Sequence, residues 1–233
     1  MSRPFQLYHL QQLDTQLDGI HARLKEIESA LADDSEVNLG REQAAQVNAD
    51  LLQARQNLRN AEFETQQQRI KIEQTEATLY GGKVHNPKEL KDLEDEAAAL
   101  KRHLSVLEDR QLESMLVEEE AAKCHSTSLV ELEAVLARHQ RRLGELNLEK
   151  EKLEKDLKRS EDERRVAAGA IPAEDLSVYE QLRQKRRGLA VAKVTDRACA
   201  ACGSTLNAVL LNAARSPNTL NMCDHCGRIL YLG

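Results

Sequence analysis

Tyr80-Gly81-Gly82-Lys83-Val84-His85-Asn86-Pro87-Lys88-Glu89-Leu90 is the sharpest interruption in the first 170 residues, and its reading decides the fold. Gly81 or Gly82 can take the left-handed conformation that closes a helix. Asn86 suits the cap of a following helix and Pro87 its first position. Glu89 stands three residues after the cap, as a capping box requires. One long helix is therefore expected to stop near Tyr80 and another to start at Pro87.

Working outward, both flanks carry helical apolar periodicity. Leu10, Leu13, Leu17, Ile20, Leu24, Ile27 and Leu31 step by three and four, which places one narrow apolar stripe along a helix. The pattern falters at Asp33–Gly40 and resumes as Leu51, Leu58, Thr65, Ile72 and Leu79. On the far side, Leu90, Leu93, Ala97, Leu100, Leu104 and Leu107 repeat the alternation. A register returns at Leu129, Leu132, Leu136, His139, Leu143, Leu146, Leu153 and Leu157, and Gly169 and Pro172 end it.

The arms, residues 1–80 and 87–168, are nearly equal. A short connection between long amphipathic helices makes them antiparallel neighbours. Each arm would extend ~120 Å at ~1.5 Å per residue. Facing residues should have numbers summing to roughly 167 if the arms pair symmetrically about the turn. Asp33–Gly40 would then face Lys123–Leu132, where the second arm also loses its stripe, and a flexible joint is expected at that level. The competing arrangement is a parallel homodimeric coiled coil, in which the equal arms and the glycine turn would serve no purpose. His139 reads as a register-setting polar residue in the seam. Cys124 and His125 have no second Cys/His pair nearby and read as ordinary helix residues. Gly81-Gly82-Lys83 lacks the spacing and preceding strand of a phosphate loop.

Composition agrees with a helical chain. Of 233 residues, 31% are charged and 41% hydrophobic, with two Phe, four Tyr and no Trp, so a single large aromatic-rich core is excluded. No stretch approaches the ~20 apolar residues needed to span a membrane. The opening Met1-Ser2-Arg3-Pro4-Phe5-Gln6 has no apolar signal core, so a cytoplasmic location is expected. Charge is uneven. From Gln181 to Gly233 eight Lys and Arg stand against two Asp, a net +6; the formal −6 of the whole chain leaves −12 on the remainder. A partner bearing negative charge near the C-terminus is the expectation.

Cys199-Ala200-Ala201-Cys202-Gly203 and Cys223-Asp224-His225-Cys226-Gly227 are two CxxC turns, each followed by glycine. Such a turn points two thiolates at one centre, and two turns supply a tetrahedron of four sulfurs. In a cytosolic chain this spacing favours a metal over disulfides, and zinc over iron. A redox dithiol would be single and sit in a βαβ setting, which is missing. With Cys199, Cys202, Cys223 and Cys226 all bound, no coordination position remains for water, so one structural Zn2+ is expected. His225 is the only alternative ligand within the second turn. About 45 residues are too few to fold on apolar burial alone. Leu189–Val194 and Gly227–Leu232 read as strands, and Asn207–Arg215 is ambiguous between a short helix and a strand. The region reads as a zinc ribbon.

A short helix, Leu176–Gly188, leads into it. Arg183, Lys185, Arg186 and Arg187, with Lys193, Arg197, Arg215 and Arg228, are candidates for one positive surface binding nucleic acid or a protein partner. Cations neutralise phosphates without reading sequence. They also favour helix C-termini, so a plain solvated face is the simpler account. Only Tyr179 and Tyr231 are at hand for base stacking. No HExxH, nucleophile elbow or carboxylate pair is present, so no enzymatic activity is expected.

The layout resembles a bacterial family of C4-type zinc-ribbon proteins with a long N-terminal helical hairpin. The resemblance rests on the tip Gly82–Leu90, the helix bearing Tyr179, and the ending Cys223-Asp224-His225-Cys226-Gly227-Arg228-Ile229-Leu230-Tyr231. It implies a non-enzymatic adaptor or regulator with zinc on the four cysteines. It further implies partners such as an alternative sigma factor, type III or flagellar export components, or flagellin messenger RNA, although members also occur in bacteria without flagella. The expected organisation is mainly α: an antiparallel coiled-coil hairpin over 1–170 with its tip at 81–86, a connecting basic helix over 171–188, and a C4 zinc ribbon over 189–233.

Overall fold

The computed structural model describes residues 2–82 and 84–233. Ser2 accepts a hydrogen bond from the Phe5 backbone N–H at 3.4 Å and starts α1, Arg3–Leu31, with Pro4 in its first turn. After Ala32 the chain leaves the helix for two residues and re-enters α2, Ser35–Tyr80. The tip follows, and then α3, Pro87–Gly169, runs unbroken for 83 residues. These helices form a long coiled-coil-like hairpin.

Asn86 caps the following helix as expected, but not through the expected capping box, because its partners are the Lys88 N–H and the Glu89 carboxylate. The Asn86 side chain accepts from the Lys88 backbone N–H at 3.1 Å and donates to Glu89 at 3.2 Å. Gly82 takes the left-handed conformation, φ 68°, whereas a side chain at Gly81 would meet the Ala77 carbonyl oxygen at 2.5 Å. Lys83, within the expected tip, lies outside the described residues.

The chain divides into two compact units, Met1–Ala32 with Leu143–Gly233, and Asp33–Arg142. In the second unit α2 buries Val37, Leu51, Ile72 and Leu79 together with Ala44, Ala54 and Ala61. Small side chains in such a seam let helices approach closely. Two polar positions also close across it: Gln68 donates to the Leu100 carbonyl at 3.0 Å, and Thr65 to the Leu107 carbonyl at 3.5 Å.

The pairing differs in register from the expectation. Thr65 stands at Leu107, Arg55 at Glu118 and Asp34 at His139, about five residues beyond symmetric arms. The break between α1 and α2 therefore faces Arg138 and His139, not Lys123–Leu132. Gly40 lies against Leu132, 3.4 Å from where a Cβ would sit, and α3 stays helical throughout that level. The second arm loses only its leucines. Gln111, Ser114, Glu118, Ala121, His125 and Ser128 continue its half-buried row with the same three–four spacing.

In the first unit α1 buries Leu7, Leu10, Leu13, Leu17, Ile20 and Ile27. The chain turns at Ile171, forms α4, Ala173–Lys185, and enters a small sheet. Its strands are β1, Val191–Thr195, β2, Ala198–Cys199, and β3, Ile229–Tyr231, in the order β2-β1-β3. β1 and β2 are an antiparallel hairpin whose turn, Asp196-Arg197, has both φ angles positive, 52° and 60°. β1 and β3 are parallel, with Val191 opposite Ile229. The stretch Asn207–Arg215 resolves as a short helix, α5, Ala208–Ala214, capped by the Asn207 side chain.

Strand alternation assigns the sheet two inner faces. Val191 and Ile229 face a cluster with Leu7, Leu10, Ile171, Tyr179 and Ala190. Ala192 and Leu230 face the other way, toward Cys199, Leu206, Ala214, Cys223 and Cys226. The sheet is thus a wall between the helices and the cysteines. Among the described residues no helix is long and apolar enough to cross a membrane.

Candidate metal centre

Each cysteine pair sits in a turn closed by its own backbone. The N–H groups of Cys202 and Gly203 both donate to the Cys199 carbonyl, at 3.2 and 2.8 Å. The Gly227 N–H donates to the Cys223 carbonyl at 2.7 Å. Gly203 and Gly227 have φ of 73° and 68°, a region L-residues enter at a cost of about 1–2 kcal/mol. That conformation folds each turn beneath its sulfurs and explains the repeated Cys-Gly.

The two turns meet. All four Sγ atoms lie within 4.8 Å of one another. Cys199 Sγ is 3.8 Å from Cys226 Sγ, and Cys202 Sγ is 3.7 Å from Cys223 Sγ. A tetrahedron with metal–sulfur bonds of ~2.3 Å has edges of ~3.8 Å, so the spacing fits a four-thiolate metal site. The thiols sit in unequal surroundings. Burial pushes the Cys199 thiol up to about 12. Burial also works to raise Cys226, but hydrogen bonding from Arg228 and the neighbouring cysteines outweighs it and holds that thiol down at about 6. Ionising all four sulfurs this close together would require a cation among them. His225 is exposed and outside the cluster.

A polar clasp, which the sequence reading did not single out, fixes the sheet to the helices. Gln11 of α1 accepts from the Val191 backbone N–H at 2.6 Å and donates to its carbonyl at 2.8 Å, so one amide serves the strand as a neighbouring strand would. Arg3 grips Asp175 through Nε and Nη2 and donates to the Asn218 carbonyl. Asp14, 2% exposed, accepts from Tyr179 Oη and Arg164 Nε, both at 2.6 Å. Burial, then the hydrogen bond to Asp14, raises the Tyr179 phenol above its ordinary range. Tyr179 is wholly buried, so it is not available for base stacking as expected. The sequence signal for this clasp was faint: Gln11 and Asp14 each stand one position after a seam leucine.

The eight basic candidates do not behave alike. Arg183 is drawn inward, 2.5 Å from Asp18 and 3.5 Å from Asp14. Arg228 is half-buried and donates to the Leu189 carbonyl at 2.8 Å. Lys185, Arg186, Arg187, Lys193, Arg197 and Arg215 are exposed. Tyr231 instead joins Phe5 and Tyr8 of α1, with ring centroids 5.9 and 4.7 Å away.

Residues 10–187 match the CT398-like coiled coil hairpin domain. The chain belongs to that family. Three solved structures share the fold of this CT398-like protein. CT398 from Chlamydia trachomatis is 19% identical with a TM-score of 0.76, covering 99% of this chain and 98% of its own. A Mycobacterium smegmatis protein is 20% identical with a TM-score of 0.65 over the full length of both. HP0958 from Helicobacter pylori is 16% identical with a TM-score of 0.51, covering 97% and 95%. No curated protein sequence matches significantly.

Proposed function

We propose that Cys199, Cys202, Cys223 and Cys226 hold one zinc ion, making residues 189–233 a zinc ribbon, and that the protein is a non-enzymatic cytoplasmic adaptor. The four-sulfur geometry supports the zinc part of this reading. Zinc bound there has no open coordination position and supplies cross-linking alone, holding the two turns against β1 and β3. Around it the exposed basic residues and the helical hairpin provide surfaces for protein partners. By resemblance, the partner class is an alternative sigma factor or a secretion or flagellar export component.

Metal analysis of the purified chain tests the first part, with one zinc per chain expected. Absence of bound metal, with the C-terminal region still ordered after chelation, overturns it. Affinity capture with the intact chain tests the second. The specific expected result is recovery of a sigma factor or export component by wild type and its loss on charge reversal of the exposed basic residues.

A second reading, binding to nucleic acid, is favoured by the six exposed cations. Direct measurement of RNA and DNA affinity separates the two: salt-dependent affinity that charge reversal of Lys185, Arg186 and Arg187 abolishes supports nucleic-acid binding, and no measurable affinity in wild type leaves the protein-adaptor reading. Arg183 is unsuitable for that test, since its contacts with Asp14 and Asp18 are structural.

A further inference from the structure

Beside its inward row, α3 carries a second row with coiled-coil spacing. Leu112, Leu116, Glu119, Lys123, Ser126 and Val130 step by four and three in alternation, and all six are exposed. At ~100° per residue this row lies about a third of a turn from the inward residues Gln111, Ser114 and Glu118. Leu116 is 67% exposed and Val130 65%, although helices of this kind turn such residues inward.

The positions of the row are symmetric about residue 121, and its two charges are complementary under that reflection. Reflection exchanges Leu112 with Val130, Leu116 with Ser126, and Glu119 with Lys123. The flanking acids Glu113, Glu118 and Glu120 are exchanged with Leu129, Cys124 and Ala122, all uncharged. A parallel pairing would instead set Glu119 against Glu119 and Lys123 against Lys123. We propose that this outer row is the interface of an antiparallel self-association, α3 against α3 of a second copy, with a twofold axis at residue 121. Each Glu119 then meets the partner's Lys123, so two ion pairs bracket the axis, with Leu116 against Ser126 next and the apolar pair Leu112 and Val130 at each end.

Asp109 and Glu133 mirror one another, and these like charges end the seam. Its 18-residue rise is ~27 Å, and such a patch falls below the ~1,200 Å² of a stable complex. The association is therefore weak and transient, adding a reversible contact between copies to the adaptor role.

Proximity trapping suits a weak contact. In a Cys124→Ser background, Leu116→Cys and Ser126→Cys proteins are each treated with a short bismaleimide, alone and mixed. The mixture is expected to give covalent dimer at least tenfold above either protein alone. Like positions would be about 15 Å apart along the axis in the antiparallel pair, by ~1.5 Å per residue. Adding Glu119→Lys should lower the mixed yield about fivefold through like-charge contact, and Glu119→Lys with Lys123→Glu should restore it. All these positions are exposed, and unchanged circular dichroism verifies folding. Equal yields alone and mixed, no dimer in any arm, or no rescue by the charge swap would each overturn the proposal.

Discussion

The Tyr179 phenol donates a 2.6 Å hydrogen bond to Asp14 Oδ2, joining α4 to α1 across 165 positions of sequence. Both residues are almost completely buried, and Arg164 and Arg183 approach the same carboxylate from α3 and α4. Removing the phenol leaves that acceptor one donor short. Tyr179→Phe is expected to lower unfolding stability by about 1–3 kcal/mol, and Asp14→Asn by at least as much because two guanidiniums lose their counter-charge. Urea denaturation followed by circular dichroism measures both. Wild-type stability in either variant would show that the network is incidental.

The same bond has a pH signature. Tyr179 has a raised pKa in the folded state, so the folded chain holds that proton where an unfolded tyrosine releases it. Stability from this group is complete below the unfolded value near ~10 and declines as pH rises above it. Tyr179→Phe should therefore show a shallower loss of stability between about pH 10 and 11 than wild type. Parallel curves for the two proteins would refute the assignment.

Cys226→Ser removes one of four sulfurs and should abolish stoichiometric zinc, whereas His225→Ala should leave it unchanged. Metal content after dialysis distinguishes them. In Cys226→Ser the helical signal should persist, because the heptads of α2 and α3 do not depend on the cysteines. Loss of zinc in His225→Ala would assign a ligand role to the exposed imidazole.

Gly203→Ala and Gly227→Ala test the turns separately from the sulfurs. Each forces a side chain into a left-handed conformation costing about 1–2 kcal/mol, so zinc affinity should fall about tenfold with all four cysteines present. Competition with a chromophoric chelator gives the ratio. Unchanged affinity would mean that the turns relax freely.

The hairpin was legible because its signals are local: a capped proline after a glycine pair, and leucines at three and four. The cysteine pairs were legible for the same reason. What escaped depends on contacts distant in sequence. The register slipped because symmetric arms do not determine which turn of α3 first meets α2. The row Gln111–Ser128 was invisible as a seam because its residues are small or polar, and burial there is dictated by neighbouring turns. Gln11 and Asp14 act on residues separated from them by 150 to 180 positions, and nothing in α1 alone announces their partners. Asp196-Arg197 adopts a turn usually given to Asn-Gly, so composition concealed the β1–β2 hairpin.

Leu7 and Ile229 share one core although 222 positions separate them, so α1 is completed only by a strand made long after it. Through most of synthesis the apolar side of α1 has nothing to close upon at that end. A nascent chain stalled before Gly227 would leave it open, and a fragment cut at residue 170 would strip each half of its counterpart. Changes near Leu7 and changes near Ile229 therefore bear on the same structural unit.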